Sequence, residues 1–122
     1  MKRSAILLLC FALSTVHAAT VLKQLKTIED AESFISGRGF EMKDRRQSTK
    51  TIVGDRVFDY QVNGIHVTLL EFSTAEAMNS WADMIGSMPI GGSRIIRGKR
   101  VAIQVWPGPD DRRQDMITRL KQ

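Results

Sequence analysis

Between Val57 and Phe72 the chain reads VFDYQVNGIHVTLLEF, two alternating runs around Asn63-Gly64, and this stretch constrains the fold more than any other. A two-residue type I′ turn needs positive φ at both central positions, which Asn and Gly tolerate. The turn sets the register: Val62 faces Ile65, followed by Gln61 with His66, Tyr60 with Val67, Asp59 with Thr68 and Phe58 with Leu69. One face is then apolar apart from the Tyr60 phenol, and the other carries Gln61, His66, Asp59 and Thr68. A one-residue slip would turn the apolar set into water, so the hairpin specifies its own pairing. On this reading Val67 and Leu69 belong to the core, while Thr68 faces outward and tolerates Ala.

The flanks supply the other elements. Thr27 followed by Asp30 resembles a capping box and predicts a helix over 28–36, with Ile28, Ala31 and Ile35 on one face, Phe34 at its margin and Gly37 as the stop. Phe40 and Met42 alternate briefly, after which Asp44 to Ser48 reads as a poorly ordered solvated loop. Thr51–Val53 with Gly54-Asp55 predicts a Gly-first hairpin that extends the central pair to a three-strand meander. Ser73 and Glu76 suggest a second capping box, opening a core helix that carries Ala77, Met78, Trp81, Ile85 and Met88 to about Ser87, before Pro89. Gly98-Lys99 predicts a second tight hairpin, placing Ile96 opposite Val101 and Arg97 opposite Arg100. Val101, Ile103 and Val105 continue the core face, and Ile95, Ala102, Gln104 and Trp106 form a half-apolar back face. Pro109 at the first helical position, with Asp110 and Asp111, opens a last helix carrying Met116, Ile117 and Leu120. The expected fold class is α+β: a small single domain whose antiparallel-rich sheet, a meander plus a second hairpin, carries about three helices gathered on one face.

Residues 1–18 read as a cleavable signal peptide: Lys2 and Arg3, an apolar run from Ala5 to Val16, then Val16-His17-Ala18 before a cut after Ala18. The run is too short to span a bilayer, so an integral membrane protein is not expected. Cys10 offers a lipoprotein alternative, but Leu9 stands where a small residue belongs and the apolar run continues past the cysteine. Residues 19–122 then form one domain without cysteine, in a periplasmic or secreted location, stabilised by packing alone. Losing Lys2 and Arg3 lowers the net charge from +5 to +3, and that charge is uneven: Arg94 to Gln122 carries +5 and Ala19 to Ser93 carries −2.

Catalytic chemistry finds few residues. His66 is the single histidine after processing, on the polar strand face near Asp59, where it could act as acid or base or simply face solvent. No G-x-S-x-G elbow and no retained cysteine accompany it. One histidine and scattered carboxylates give no metal spacing, and Gly91-Gly92 lacks the lysine of a phosphate loop, so neither metal nor cofactor is expected. The carboxylate pairs have local roles: Glu71 faces Arg56, Glu76 caps, and Asp110 with Asp111 open a helix. The basic stretch Arg94, Arg97, Lys99 and Arg100 reads either as a solvated hairpin tip or as a docking site, with Trp106 as an aromatic anchor if the last helix leaves it uncovered. Export disfavours nucleic acid as the partner. The preferred expectation is a non-catalytic domain binding an acidic protein or other anionic envelope component. A small hydrolase-like enzyme centred on His66 and a structural accessory domain of an envelope assembly are the alternatives.

Overall fold

The structure, a computed structural model, describes residues 20–49, 54–88 and 92–121. The expected signal peptide with Cys10, the cut after Ala18 and the expected strand Thr51–Val53 lie outside the described residues. Strands β1 (Met42–Gln47), β2 (Arg56–Val62), β3 (Ile65–Glu71), β4 (Arg94–Arg97) and β5 (Val101–Val105) form one antiparallel sheet in the order β1-β2-β3-β5-β4. After a helical stretch at 20–22 come α1 (Ile28–Gly37), α2 (Ala75–Ser87) and α3 (Asp110–Lys121). The architecture is the expected α+β domain on an antiparallel sheet. Among the described residues no helix is long and apolar enough to cross a membrane.

The β2–β3 hairpin has the register that Asn63-Gly64 demands, from Val62 opposite Ile65 to Arg56 opposite Glu71. Asn63 and Gly64 take φ of 53° and 75°, the left-handed pair a type I′ turn requires. α1 begins with the full capping box: Thr27 Oγ1 accepts from Asp30 N–H at 3.1 Å, and the Asp30 carboxylate accepts from Thr27 N–H at 3.2 Å. Its buried stripe of Ile28, Ala31, Phe34 and Ile35 lies over the apolar face of β2 and β3. The helix includes Gly37, and the left-handed turn comes two residues later at Gly39, φ 89°.

The expectation that the helices gather on one face is corrected. α1 and α3 share a core with Phe58, Tyr60, Val67 and Leu69, whereas α2 sets Met78, Trp81 and Ala82 against Val57, Leu70 and Ala102 on the opposite face. Successive strand residues alternate in direction, so Leu69 and Leu70 belong to different cores. The back face is apolar at only one end, and α2 covers that end. This helix therefore buries a narrow stripe. Ala77 is exposed, and Met84 and Met88 remain 49% and 40% exposed instead of filling the core.

Three local expectations shift for identifiable reasons. The charged segment read as a loop is strand β1, whose ladder with β2 pairs Met42 with Val62 and Gln47 with Phe58. It is an edge strand, so its polar side chains keep contact with water while its backbone bonds on one side. One extra residue between Lys43 and Arg46, with Asp44 at φ 56°, makes a bulge. Second, the strand that extends the central pair to a meander is β1, whose ladder is prolonged by Ser48 N–H bonding the Val57 carbonyl at 2.8 Å, while the expected hairpin partner Thr51–Val53 lies outside the described residues. Asp55 N–H bonds the Glu71 carbonyl at 2.8 Å, and a Cβ on Gly54, φ 80°, would meet that carbonyl oxygen at 3.2 Å. Third, the N-cap of α2 is Thr74, which accepts from Ala77 N–H at 3.1 Å; Glu76 falls one position short of closing a box. α3 starts at Asp110, with the Pro109 carbonyl accepting from Arg113 N–H at 3.0 Å, and buries Met116, Ile117 and Leu120 as expected.

The rim of the main core is polar and tightly bonded. Glu32 of α1 accepts from the Tyr60 hydroxyl at 2.6 Å and from Arg45 Nε at 2.6 Å, while the Arg45 guanidinium lies 4.0 Å from the Phe58 ring centre. Burial and the Glu32 carboxylate push the Tyr60 phenol well above its ordinary 10.0. Arg56 grips Glu29 through two bonds of 2.9 Å and reaches Glu71 at 3.3 Å, which holds the Glu29 carboxyl below its ordinary 4.5.

Candidate functional site

The five residues singled out as a binding surface do not form one patch. Gly98 N–H bonds the Val101 carbonyl at 2.8 Å, and β4 pairs with β5 as Arg97 with Ala102 and Ile96 with Ile103. The expected Arg97–Arg100 opposition is thereby corrected: the register moves by two residues, and every side chain keeps its face. The loop widens because Lys99 and Arg100 donate their backbone N–H groups to the Leu25 carbonyl, at 2.8 and 3.0 Å. Gly98 is packed so closely that a Cβ would sit 2.8 Å from the Val101 oxygen and 3.0 Å from Leu25 Cβ.

This wider loop separates the cations. Arg97 points toward α2, bonding Asp83 at 2.7 Å and Asn79 at 3.2 Å. Arg100 turns to the Ser73 carbonyl at 3.3 Å. Arg94, paired with Val105, lies on the opposite sheet face from Arg97, because that pair shares the α1 and α3 side. Lys99 stays exposed at the loop tip. Arg94 and Lys99 form no ion pair with a described residue.

Trp106 belongs to a different site. It follows β5 at the end of the sheet remote from the loop tip, where its ring stacks on His66 with centroids 5.6 Å apart and planes 11° from parallel. Its Nε1–H donates to Thr68 Oγ1 at 2.9 Å, Thr68 donates to Asp59 Oδ1 at 2.6 Å, and His66 Nε2 meets the same oxygen at 2.8 Å. A carboxylate oxygen accepts, so Nε2 is the donor of this bond. This network occupies the half of the back face that α2 leaves open. A depression of about 380 Å³ lies beside it, lined by Asp44, Arg46, Asp59 and His66 among others.

The reading of Thr68 as an outward-facing residue is corrected, since it is 6% exposed with both hydroxyl functions in use. In this arrangement the hydroxyl proton goes to the carboxylate, and the oxygen's free side is taken by Trp106. His66 Nε2 is 3.4 Å from Thr68 Oγ1 and itself faces Asp59, so the imidazole is not poised to take the hydroxyl proton. The geometry makes the three residues a brace for Trp106. Among the described residues no three His, Cys, Asp or Glu side chains converge as metal ligands would.

A second surface runs along the outer edge of β4. A groove of about 420 Å³ lies there, with Ala82 and Gly86 of α2 on one side and Ile117 and Lys121 of α3 on the other. Arg94, Arg97 and Lys121 line it, and among the described residues no carboxylate does. The sequence held the clue to Arg94 and Arg97 in their charge. It held none to Gly86 or Lys121, which only the sheet order brings beside β4. A third, cationic depression near the Asn63-Gly64 turn includes Lys43, Arg112 and Arg119. There Arg119 is already committed, to the Arg38 carbonyl at 2.9 Å and Asp115 at 3.6 Å.

Fold and surface together define a small α+β domain with one half-open sheet face and one basic edge. The chain matches no known family, characterised protein or solved structure.

Proposed function

We propose that this is an exported, non-catalytic domain that binds an acidic protein or another anionic component of the cell envelope through the β4 side of its sheet. The observation that carries the reading is the groove along the β4 edge, lined by Arg97 on its α2 side and by Arg94 and Lys121 on its α3 side, with no lining carboxylate among the described residues. Asp83 offsets Arg97, while Arg94 and Lys121 form no ion pair with a described residue. Like charges held together are unfavourable unless an anion completes them, and such a surface steers anionic partners. Export rests on the signal-like residues 1–18 and supplies the envelope as the source of partners.

Pulldown from envelope extract with the exported protein tests this. A partner lost on Arg94→Glu with Lys121→Glu, and lost with rising salt, supports it; one retained equally by the variant overturns it. The competing enzyme reading rests on the half-exposed His66 ring beside Asp59. Substrate turnover that disappears in His66→Ala would favour that reading.

A further inference from the structure

We infer that the outer edge of β4 is a strand-addition site for an extended acidic segment of the partner, an inference that rests on the anionic-partner reading above. β4 ends the sheet, so among the described residues one side of its backbone has no neighbouring strand. The bond from Gly98 N–H to the Val101 carbonyl determines which groups these are. Bonded and non-bonded pairs alternate along an antiparallel ladder, so Ile96 and Arg94 bond inward to Ile103 and Val105. Ile95 and Arg97 then direct their N–H and C=O groups outward, and among the described residues no backbone group meets them.

The two sheet edges are unlike. β1 carries a bulge, a left-handed Asp44 and a run of exposed charged side chains, devices that block strand addition. β4 is regular over its whole length and lies in the groove between α2 and α3. Gly86 keeps the α2 wall low: a Cβ there would meet no heavy atom within 4 Å. A strand laid about 4.8 Å from β4 would send alternate side chains toward each wall. Those on the α2 side would meet Arg97, and those on the α3 side Arg94 and Lys121. Acidic residues on both faces of the added strand satisfy this arrangement. A second copy of the chain does not, because its β4 would bring the same cations to the seam.

The probe is a short peptide repeating Glu-Glu-Val-Val, which places Glu on both faces of an extended strand, tested on the full exported protein by calorimetry and by amide hydrogen exchange. Two counterparts carry N-methyl groups on alternate amides, one on each set, and a third replaces Glu by Lys. The Glu peptide is expected to bind and to slow exchange at Ile95 and Arg97. One methylated set should lose at least about tenfold in affinity and the other little, since one set faces β4 and the other faces away. The Lys peptide should not bind, and Gly86→Leu should block binding while leaving thermal stability unchanged or raised. Equal affinity of the two methylated peptides, or binding without protection at Ile95 and Arg97, would overturn strand addition while leaving the anionic-partner reading in place. Binding of phosphatidylserine vesicles or a sulfated glycan at the groove, with no peptide bound up to about 1 mM, would do the same. Failure of every anionic probe, with no effect of Arg94→Glu, would remove both.

Discussion

Replacing Thr68 with Val removes one hydroxyl and keeps the side chain's shape, which isolates the network beneath Trp106. In the wild type that hydroxyl donates to Asp59 at 2.6 Å and accepts from Trp106 at 2.9 Å, in a residue 6% exposed. The variant leaves the indole N–H without its partner and takes a charge-assisted bond from Asp59. Buried groups left unsatisfied cost roughly 1–3 kcal/mol each, and bonds to charged groups lie toward the upper end. Two features reduce the sum. Asp59 retains His66, and the new methyl returns up to about 0.8 kcal/mol of burial. The expected net loss is about 1–3 kcal/mol in urea unfolding followed by far-ultraviolet circular dichroism. Thr68→Ser keeps both bonds and should lose no more than about 1 kcal/mol, through the missing methyl. Near-ultraviolet dichroism should lose the ordered Trp106 signal in Thr68→Val and keep it in Thr68→Ser. A Thr68→Val loss below about 0.5 kcal/mol, or one no larger than that of Thr68→Ser, would mean that the hydroxyl contributes nothing and the brace is wrong.

Other expectations follow from single contacts. Thr74→Ala should cost about 1 kcal/mol and Ser73→Ala little, reversing what the sequence suggests about which residue caps α2; thermal unfolding distinguishes them. Gly98→Ala should destabilise by more than about 1 kcal/mol, since its Cβ would strike the Val101 and Leu25 backbone, whereas Gly86→Ala should stabilise by up to about 1 kcal/mol through helix propensity. Tyr60 is the chain's one tyrosine, so tyrosinate absorbance titrates it alone. Its folded pKa is raised, so its stabilising contribution is complete below pH 10.0 and lost as pH rises toward the folded value; ionisation should therefore lag that of the unfolded chain. Glu29 has the opposite sign: with its pKa depressed by Arg56, its contribution is present above pH 4.5 and lost as pH falls through the lower folded value. Glu29→Gln should flatten that acid limb of the stability profile.

The local signals in the sequence were enough for the central hairpin and for α1. Asn63-Gly64 admits one turn geometry, and alternation leaves one register that buries the apolar face, so every cross-strand pair from Phe58 to Ile65 could be read from neighbours in the chain. Thr27 with Asp30 is likewise a local bond across three residues. The charge of Arg94, Arg97, Lys99 and Arg100 was legible too, but their relation to one another was not. The Leu25 carbonyl, more than seventy residues away, holds Lys99 and Arg100 and opens the loop, shifting the β4–β5 register by two. Tertiary contacts also decided which cores exist. Met78 and Trp81 have the same helical spacing whichever sheet face they cover, and only the apolar end of the back face, assembled from β2, β3 and β5, selects one. β1 forms because an edge strand needs a neighbour's backbone more than apolar side chains, a condition no local pattern expresses. The groove beside β4 has the same origin. Its cations are a property of the sequence, but its walls and its outward-facing amides exist only because β5 lies between β3 and β4.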